Sequence, residues 1–235
     1  MATSKNKAYI VLIAFAIALM GCCTAQQTSQ ILKPVVITSP DEIKKSFVED
    51  IANKTISLVT VDDEGKLTPY CSGLWIDDNQ ILTAAHCIKK NKIVFYVTKE
   101  NFDNKRMMDT AVLVKISVKD DLALLLTFED KSRQALKLSE VKPWAGMKLF
   151  IVGHTMGMWW TYIEGVVSAS WNVVTSEDLS ASIQVSAPIW LGNSGGGAFD
   201  GDGRLVGLCS QVLASAPNIA FLVPASRIKL FLSER

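Results

Sequence analysis

The sequence has few of the residues that bind metals. It contains two histidines, His86 and His154, and five cysteines, with no Cys-x-x-Cys pair in 235 residues. A structural zinc site draws on four such ligands at short spacings. We therefore expect neither a metal site nor another cofactor.

An excess of charge of either sign is also missing. The chain carries 24 Lys and Arg against 23 Asp and Glu. This balance gives no electrostatic reason to expect a nucleic-acid partner. Apolar residues make up 49% of the chain, which is enough for a substantial core, and a single all-β domain of this length is ordinary.

No apolar run is long enough for a comfortable membrane span. The longest run, at residues 8–20, has thirteen residues; it follows a start with two lysines and precedes small residues. This pattern is typical of a secretory signal peptide. We expect an exported protein with a signal peptide at 1–21, a tether at 22–38 and a domain at 39–235.

The stretch LMGC at 19–22 resembles the bacterial lipoprotein signal. The resemblance implies that Cys22 is lipidated, which would hold the protein at a membrane surface without a spanning helix. Met20 is a less usual residue in that pattern. Ordinary cleavage after Ala25, giving a secreted protein, is the alternative, and a retained membrane anchor is a third.

Helix-start chemistry precedes a strand-rich remainder. Ser39 as N-cap, Pro40 at the first helical position and Glu42 predict a helix over about 40–52. Beyond it, short apolar or alternating runs predict strands. The eleven candidates are 56–61, 73–76, 93–97, 110–116, 122–128, 148–153, 161–170, 181–187, 196–200, 204–212 and 218–224.

Turn residues divide these strands, with Asp-Gly hairpins at 62–65 and 200–203. The strands fall into two successive groups that meet near 140–146. The pattern predicts an all-β fold of two six-stranded antiparallel β-barrels, at about 53–140 and 145–225. The sequence at 226–232 predicts a short helix at the end of the chain.

The segment APIWLGNSGGGAF at 187–199 places Ser194 among four glycines. Either a flexible turn holds a serine there, or a sharply bent backbone directs its N–H groups beside a nucleophile. The pattern G-x-S-x-G also occurs in α/β-hydrolases. In those enzymes the histidine follows the serine, whereas His86 and His154 both precede Ser194, and alternating helices are lacking here.

Several segments resemble one protease family. CSGLWIDDNQILTAAHC at 71–87 resembles the region around the catalytic histidine of chymotrypsin-like serine proteases, and DDLALLL at 120–126 resembles their carboxylate segment. Further segments resemble the bacterial HtrA/DegP-type protease domain: 149–157, 161–169, 183–196 and 218–229. The resemblance to a trypsin-like serine protease of this type covers about residues 53–232.

The sequence departs from that family at three points. Leu191 and Gly197 stand where the HtrA/DegP group usually has prolines. The sequence ends at Arg235, so we expect no PDZ domain after the protease domain.

The resemblance implies a catalytic triad of His86, Asp121 and Ser194, in the chain order of chymotrypsin. Asp120 and Asp109 are alternatives for the carboxylate. Ser194 would attack the scissile carbonyl while His86 takes its proton, and the carboxylate would orient the imidazole.

The resemblance also implies an oxyanion hole at Gly192, Asn193 and Ser194, in which the N–H groups of Gly192 and Ser194 donate and Asn193 shapes the turn. It implies a disulfide between Cys71 and Cys87 beside the histidine. Digestive-type relatives have an aspartate where this chain has Asn193, so we expect no activation by cleavage.

The family places its substrate pocket around the serine. The corresponding residues here are Pro188, Ile189, Trp190, Leu191, Ser210 and Gln211. None of them is acidic, so we expect an apolar pocket for small or medium aliphatic side chains rather than for Lys or Arg. Glutamate-specific relatives use a pocket histidine, which is one role for His154; the alternative is a loop or strand-end residue.

The function implied is that of an exported serine endopeptidase acting on proteins or peptides, with no cofactor and no nucleic-acid partner. Two rivals use the same residues: a catalytically silent binding protein with the protease fold, and an esterase. The sequence leaves the oligomeric state, the natural substrate and the regulation open.

Overall fold

The structure is a computed structural model that describes residues 40–88, 92–105, 108–128, 133, 135–169 and 182–234. The predicted signal peptide, the tether and Cys22 lie outside the described residues. Among the residues described, no helix is long and apolar enough to cross a membrane.

The first barrel consists of six strands: β1 Thr55–Val61, β2 Leu67–Trp75, β3 Gln80–Thr83, β4 Ile93–Thr98, β5 Asp109–Ser117 and β6 Leu122–Thr127. It is closed and antiparallel, with strand order β1-β2-β3-β6-β5-β4. Alternation along its strands separates core from surface: in β4, Val94 and Tyr96 are buried while Ile93 and Phe95 are exposed.

The second barrel consists of β7 Lys148–Gly153, β8 Thr161–Ala169, β9 Ile183–Ser186, β10 Gly197–Phe199, β11 Leu205–Val212 and β12 Ile219–Pro224. It is also closed and antiparallel, with strand order β10-β11-β12-β9-β8-β7. Cys209 packs inside it as a buried residue of β11, and burial raises the pKa of its thiol to about 12. The predicted class, two six-stranded antiparallel barrels, is confirmed.

Within the described ranges, three helices accompany the barrels: α1 Pro40–Lys54, α2 Lys99–Asp103 and α3 Ala225–Ser233. Phe47 of α1 packs edge-on against Phe150 of β7, with ring centroids 5.1 Å apart. Both predicted hairpins contain an aspartate that caps its own turn. Asp62 accepts from the N–H of Lys66 at 2.8 Å, and Asp200 accepts from the N–H of Arg204 at 2.9 Å.

The structure differs from the prediction mainly in short elements. It adds β3, a strand of four residues, to the eleven predicted, and β2 begins at Leu67 rather than at residue 73. Pro69 interrupts the alternation at the start of β2, which removes the pattern that predicts a strand. The one-turn-scale helix α2 depends on a local cap, because Thr98 Oγ1 accepts from the N–H of Asn101 at 3.0 Å.

One hydrophobic cluster extends from the first barrel to the second. It contains Leu58 and Leu82 of the first barrel, Val152 and Leu208 of the second, and Phe231 of α3. A separate cluster fills the interior of the second barrel. The shared cluster holds the two barrels together, so side chains at their boundary have fixed relative positions.

Candidate active site

Ser194 lies in the loop 187–196 that joins β9 to β10, called the Ser194 loop below. Gly192 and Gly195 have φ of +96° and +82°, a region that L side chains rarely adopt. Space is also lacking: a Cβ on Gly192 would lie 2.1 Å from the His154 oxygen, and one on Gly195 would lie 2.2 Å from the Ser72 oxygen. The loop therefore requires glycine at both positions.

Both barrels hold the backbone at Ser194. The Ser72 N–H of β2 donates to the Ser194 carbonyl at 2.8 Å, and the Gly195 N–H donates to the Cys209 carbonyl of β11 at 2.8 Å. The Ser194 hydroxyl is half-buried and donates to the Ser210 carbonyl over 3.5 Å. At that length the bond is weak, so the hydroxyl is held loosely.

His86 lies in a 3-10 turn, Ala85–Cys87, directly after β3. A disulfide joins Cys87 to Cys71 of β2, with the Cα atoms 6.1 Å apart. This cross-link ties the histidine turn to the neighbouring strand. The imidazole itself stays 46% exposed, so it is open to a substrate.

Asp121 lies against His86. Its carboxylate oxygens are 2.9 and 3.0 Å from His86 Nδ1, and the His86 backbone N–H donates to it at 3.0 Å. Ser210 of β11 adds a hydrogen bond of 2.5 Å to the same carboxylate. Burial alone would raise the pKa of Asp121, but the bonds from His86 and Ser210 outweigh it and hold the pKa below its ordinary value.

The structure places the two alternative carboxylates elsewhere. Asp120 pairs with Arg227 of α3 at 3.0 Å and accepts from Ser117. Asp109 accepts from the side-chain amide of Asn101 in α2. Of the three candidates, Asp121 is therefore the one in contact with the His86 ring.

Within the described residues, no hydrogen bond joins the side chains of Ser194 and His86. Ser194 Oγ donates to the Ser210 carbonyl instead. Such bonds are often long in the absence of substrate. Because Nδ1 faces Asp121, Nε2 is the ring nitrogen left for an incoming proton.

The backbone N–H groups of Gly192 and Ser194 are among the unpaired donors of the Ser194 loop. No group among the described residues accepts from the N–H of Gly192 or of Ser194, whereas the Asn193 N–H donates to Trp190 at 3.1 Å. A pair of N–H groups left unpaired around a glycine of positive φ can receive a developing oxyanion. Asn193 is fully buried, so its part in the loop is structural.

The six residues predicted for the substrate pocket have different surroundings. Pro188, Leu191 and Gln211 are exposed, and Trp190 is half-buried. Ile189 packs in the core cluster of the second barrel. The Ser210 hydroxyl is occupied by Asp121, so only its backbone is left for a substrate.

His154 lies at the end of β7, fully buried. Its Nδ1 is 2.9 Å from the Ser72 hydroxyl, which also bonds the Gly192 carbonyl at 2.8 Å. Burial lowers the pKa of His154 to about 3, so the ring is neutral. The structure places it at a strand end, away from solvent, rather than in an open pocket. Sequence reasoning missed Ser72, because nothing local distinguishes it from other serines.

One group of potential metal ligands comes together within the described part of the chain: Cys71, His86 and Cys87. The two sulfur atoms are bonded to each other, so neither is a thiolate that could bind an ion. The chemistry available at this site is that of the Asp121 carboxylate, the His86 imidazole, the Ser194 hydroxyl and the free N–H groups of Gly192 and Ser194.

Curated proteins similar to this chain include proteases. It is 27% identical over 209 residues to a probable periplasmic serine endoprotease DegP-like of Marinomonas sp., covering 86% of this chain and 42% of that protein. It is 33% identical over 179 residues to the chloroplastic Protease Do-like 2 of Arabidopsis thaliana, covering 72% of this chain and 28% of the relative. The chain spans less than half the length of these curated relatives.

Solved structures share the fold. A protease of M. tuberculosis in its active form has a TM-score of 0.69 at 15% identity, covering 86% of this chain and 93% of that chain. The serine endoprotease from Yersinia pestis has a TM-score of 0.65 at 21% identity, covering 84% of this chain and 66% of that chain. Residues 71–208, more than half of the chain, match the trypsin-like peptidase domain. By its sequence and by its double barrel, this chain is a member of the trypsin-like peptidase domain family.

Proposed function

We propose that this protein is an exported serine endopeptidase that cleaves peptide bonds through His86, Asp121 and Ser194. One observation carries the proposal: Asp121 holds His86 by Nδ1 at 2.9 Å, at the boundary where the Ser194 loop offers the unpaired N–H groups of Gly192 and Ser194. A base, its orienting carboxylate and an anion site next to a serine are what acyl transfer requires.

The first half of the reaction forms an acyl-enzyme. His86 Nε2 takes the proton from Ser194 Oγ as this oxygen bonds to the scissile carbonyl carbon. The carbonyl oxygen becomes an anion, which the N–H groups of Gly192 and Ser194 stabilise; one such donor contributes about 3 to 4 kcal/mol in related chemistry. Asp121 stabilises the charged imidazole, which then gives its proton to the leaving amine.

The second half regenerates the enzyme. Water replaces the departed amine. His86 takes a proton from this water as the water oxygen attacks the acyl carbon. The ester bond to Ser194 breaks and His86 returns the proton to Ser194 Oγ. The substrates are proteins or peptides. The exposed Leu191 and the half-buried Trp190 of the Ser194 loop favour apolar substrate residues at the site.

The chemical test is labelling by a fluorophosphonate probe, followed by intact mass. We expect one adduct on the wild-type protein and none on Ser194→Ala or His86→Ala. Ser215→Ala, which removes an exposed hydroxyl of the β11–β12 loop, is the matched control and should label fully. A folded wild type that stays unlabelled would favour the silent binding protein.

Substrate class needs a separate measurement. The measurement is hydrolysis of a panel of peptides and simple esters. We expect the wild type to cleave both classes, because an activated serine attacks the carbonyl of a peptide or of an ester. Cleavage of esters without peptides would make the protein an esterase instead.

The export proposal rests on the basic start, the short apolar run and the sequence around Cys22. The test is metabolic labelling with a radioactive fatty acid in a bacterium that processes lipoproteins. We expect label on the wild type and on the control Cys23→Ser, but not on Cys22→Ser. Label-free protein in the medium would indicate ordinary cleavage and secretion.

A further inference from the structure

The two peptide groups that flank Gly192 are each fixed by their carbonyl oxygen. The Leu191 oxygen accepts from the Met156 N–H at 2.7 Å, and the Gly192 oxygen accepts from the Ser72 hydroxyl at 2.8 Å. A trans peptide points its N–H opposite to its C=O. Fixing the Leu191 oxygen therefore sets the direction of the Gly192 N–H, which is one of the donors proposed to stabilise the oxyanion.

The Ser72 hydroxyl determines which ring nitrogen of the neutral His154 carries the proton. A hydroxyl has one proton, and Ser72 uses it on the Gly192 oxygen, so the bond of 2.9 Å to His154 has Nδ1–H as its donor. The bare Nε2 then has no partner, as the structure shows. The opposite arrangement would bury an unpaired Nε2–H and leave the Gly192 oxygen unbonded, which costs more.

Thr155, which lies between His154 and Met156 in the sequence, also contacts the Ser194 loop. Thr155 Oγ1 lies 2.8 Å from Asn193 Nδ2 and 3.1 Å from Asn193 Oδ1. The close approach needs Gly153 before it, since a Cβ there would lie 2.3 Å from Asn193 Oδ1. Three consecutive residues, His154, Thr155 and Met156, thus reach the Ser194 loop.

We propose that the turn 154–156, acting with Ser72, is a clamp that holds the Ser194 loop with its N–H donors outward, and that Ser72 and His154 are positioning residues. The inference rests on the proposed function, because it concerns the same anion site. All the clamp contacts join neutral groups, and none needs a newly cut amino terminus. The loop is therefore in its working shape as soon as the chain has folded.

The kinetic test compares Ser72→Ala with Ser57→Ala. Ser57 is an equally buried serine of β1 whose hydroxyl has no partner, so its variant controls for the loss of a buried oxygen. We expect Ser72→Ala to lower kcat about 10- to 100-fold with KM unchanged, because a misdirected donor acts on the transition state. A kcat equal to that of Ser57→Ala would overturn the clamp.

A second pair of variants keeps the test decisive if Ser72→Ala folds poorly. An asparagine at 154 places an amide N–H near the position of Nδ1, whereas leucine places no donor there. We expect His154→Asn to keep most of the kcat and His154→Leu to lose about as much as Ser72→Ala, with similar melting temperatures. Equal kcat for the two variants would contradict the positioning role.

A spectroscopic measurement separates this inference from the proposed function. In the wild-type protein, nitrogen NMR should find His154 as the Nδ1–H tautomer, and Ser72→Ala should shift the Gly192 amide signal while Ser57→Ala leaves it in place. If the wild type resists the fluorophosphonate probe, the proposed function fails while these signals still decide the clamp. An Nε2–H tautomer would overturn it.

Discussion

Ser210 and Asp121 form a hydrogen bond across the boundary between the two barrels. Ser210 belongs to β11 of the second barrel, Asp121 precedes β6 of the first, and the hydroxyl donates to the carboxylate over 2.5 Å. The bond stabilises an ionised Asp121 and fixes the carboxylate on the side of the second barrel that also carries Ser194. It couples the docking of the barrels to the orientation of His86.

Replacement of Ser210 by alanine should lower the stability of the protein and make the ionised form of Asp121 less favourable. A hydrogen bond to a charged group contributes about 1.5 to 3 kcal/mol, so we expect the free energy of unfolding at pH 7 to fall by that order. The folded pKa of Asp121 lies below its ordinary value of 3.8, so the contribution is present above that pH and is lost as the pH falls through the folded pKa. Urea unfolding at pH 7 and at pH 3 measures the loss; an equal loss at both would contradict the charge-assisted bond.

Replacement of Gly192 by alanine should abolish most activity. The φ of +96° is unfavourable for alanine, and its Cβ would collide with the His154 carbonyl. The loop must shift, and loss of one oxyanion donor lowers kcat by about 100-fold or more. Gly201→Ala is the matched control, because a Cβ there meets nothing within 4 Å. Peptide hydrolysis by the two variants gives the comparison, and similar rates would contradict a role for the Gly192 N–H.

Loss of the disulfide should destabilise the first barrel and impair His86. Cys71 and Cys87 are 16 residues apart, and a cross-link closing a loop of about that length contributes about 3 kcal/mol in the chain-entropy account. We expect a lower melting temperature and a lower kcat in the double Cys→Ala variant. Cys209→Ala removes a cysteine outside the bridge, so its kcat should stay near that of the wild type.

The buried His154 should make stability depend on pH. Because its folded pKa is about 3 and its ordinary value is 6.5, the unfolded chain binds a proton that the folded chain lacks between these values. Stability is then complete above pH 6.5 and falls on acidification by about 1.4 kcal/mol per pH unit on this account. Urea unfolding between pH 7 and pH 4 should show this slope in the wild type and a smaller one in His154→Asn. Identical slopes would mean that His154 binds a proton in the folded state.

The sequence predicted the barrels because their information is local. Each signal, such as the alternating run at 93–97 or the Asp-Gly turns at 62–65 and 200–203, is contained within a few consecutive residues. Missed elements have weak local patterns: β3 is four residues long, and β2 starts at a proline-containing segment.

The site residues also differ in whether the local sequence could predict them. His86, Asp121 and Ser194 each lie in a short segment that resembles a known protease motif, so the sequence could nominate them. Ser72 could not be nominated, because its partners His154 and Gly192 are 82 and 120 residues away. A hydrogen-bond network of that span leaves no repeated spacing in the chain, and only the packed barrels bring its members together.

The division of the site between barrels has a consequence for biosynthesis. A ribosome delivers β1 to β6, with His86 and Asp121, before it delivers Ser194 and β11. On the proposed function, the emerging chain therefore carries the base His86 without the nucleophile until Ser194 has been made. On that proposal, a copy that ends before Ser194 cannot form an acyl-enzyme, so hydrolysis of peptide bonds depends on the final strands.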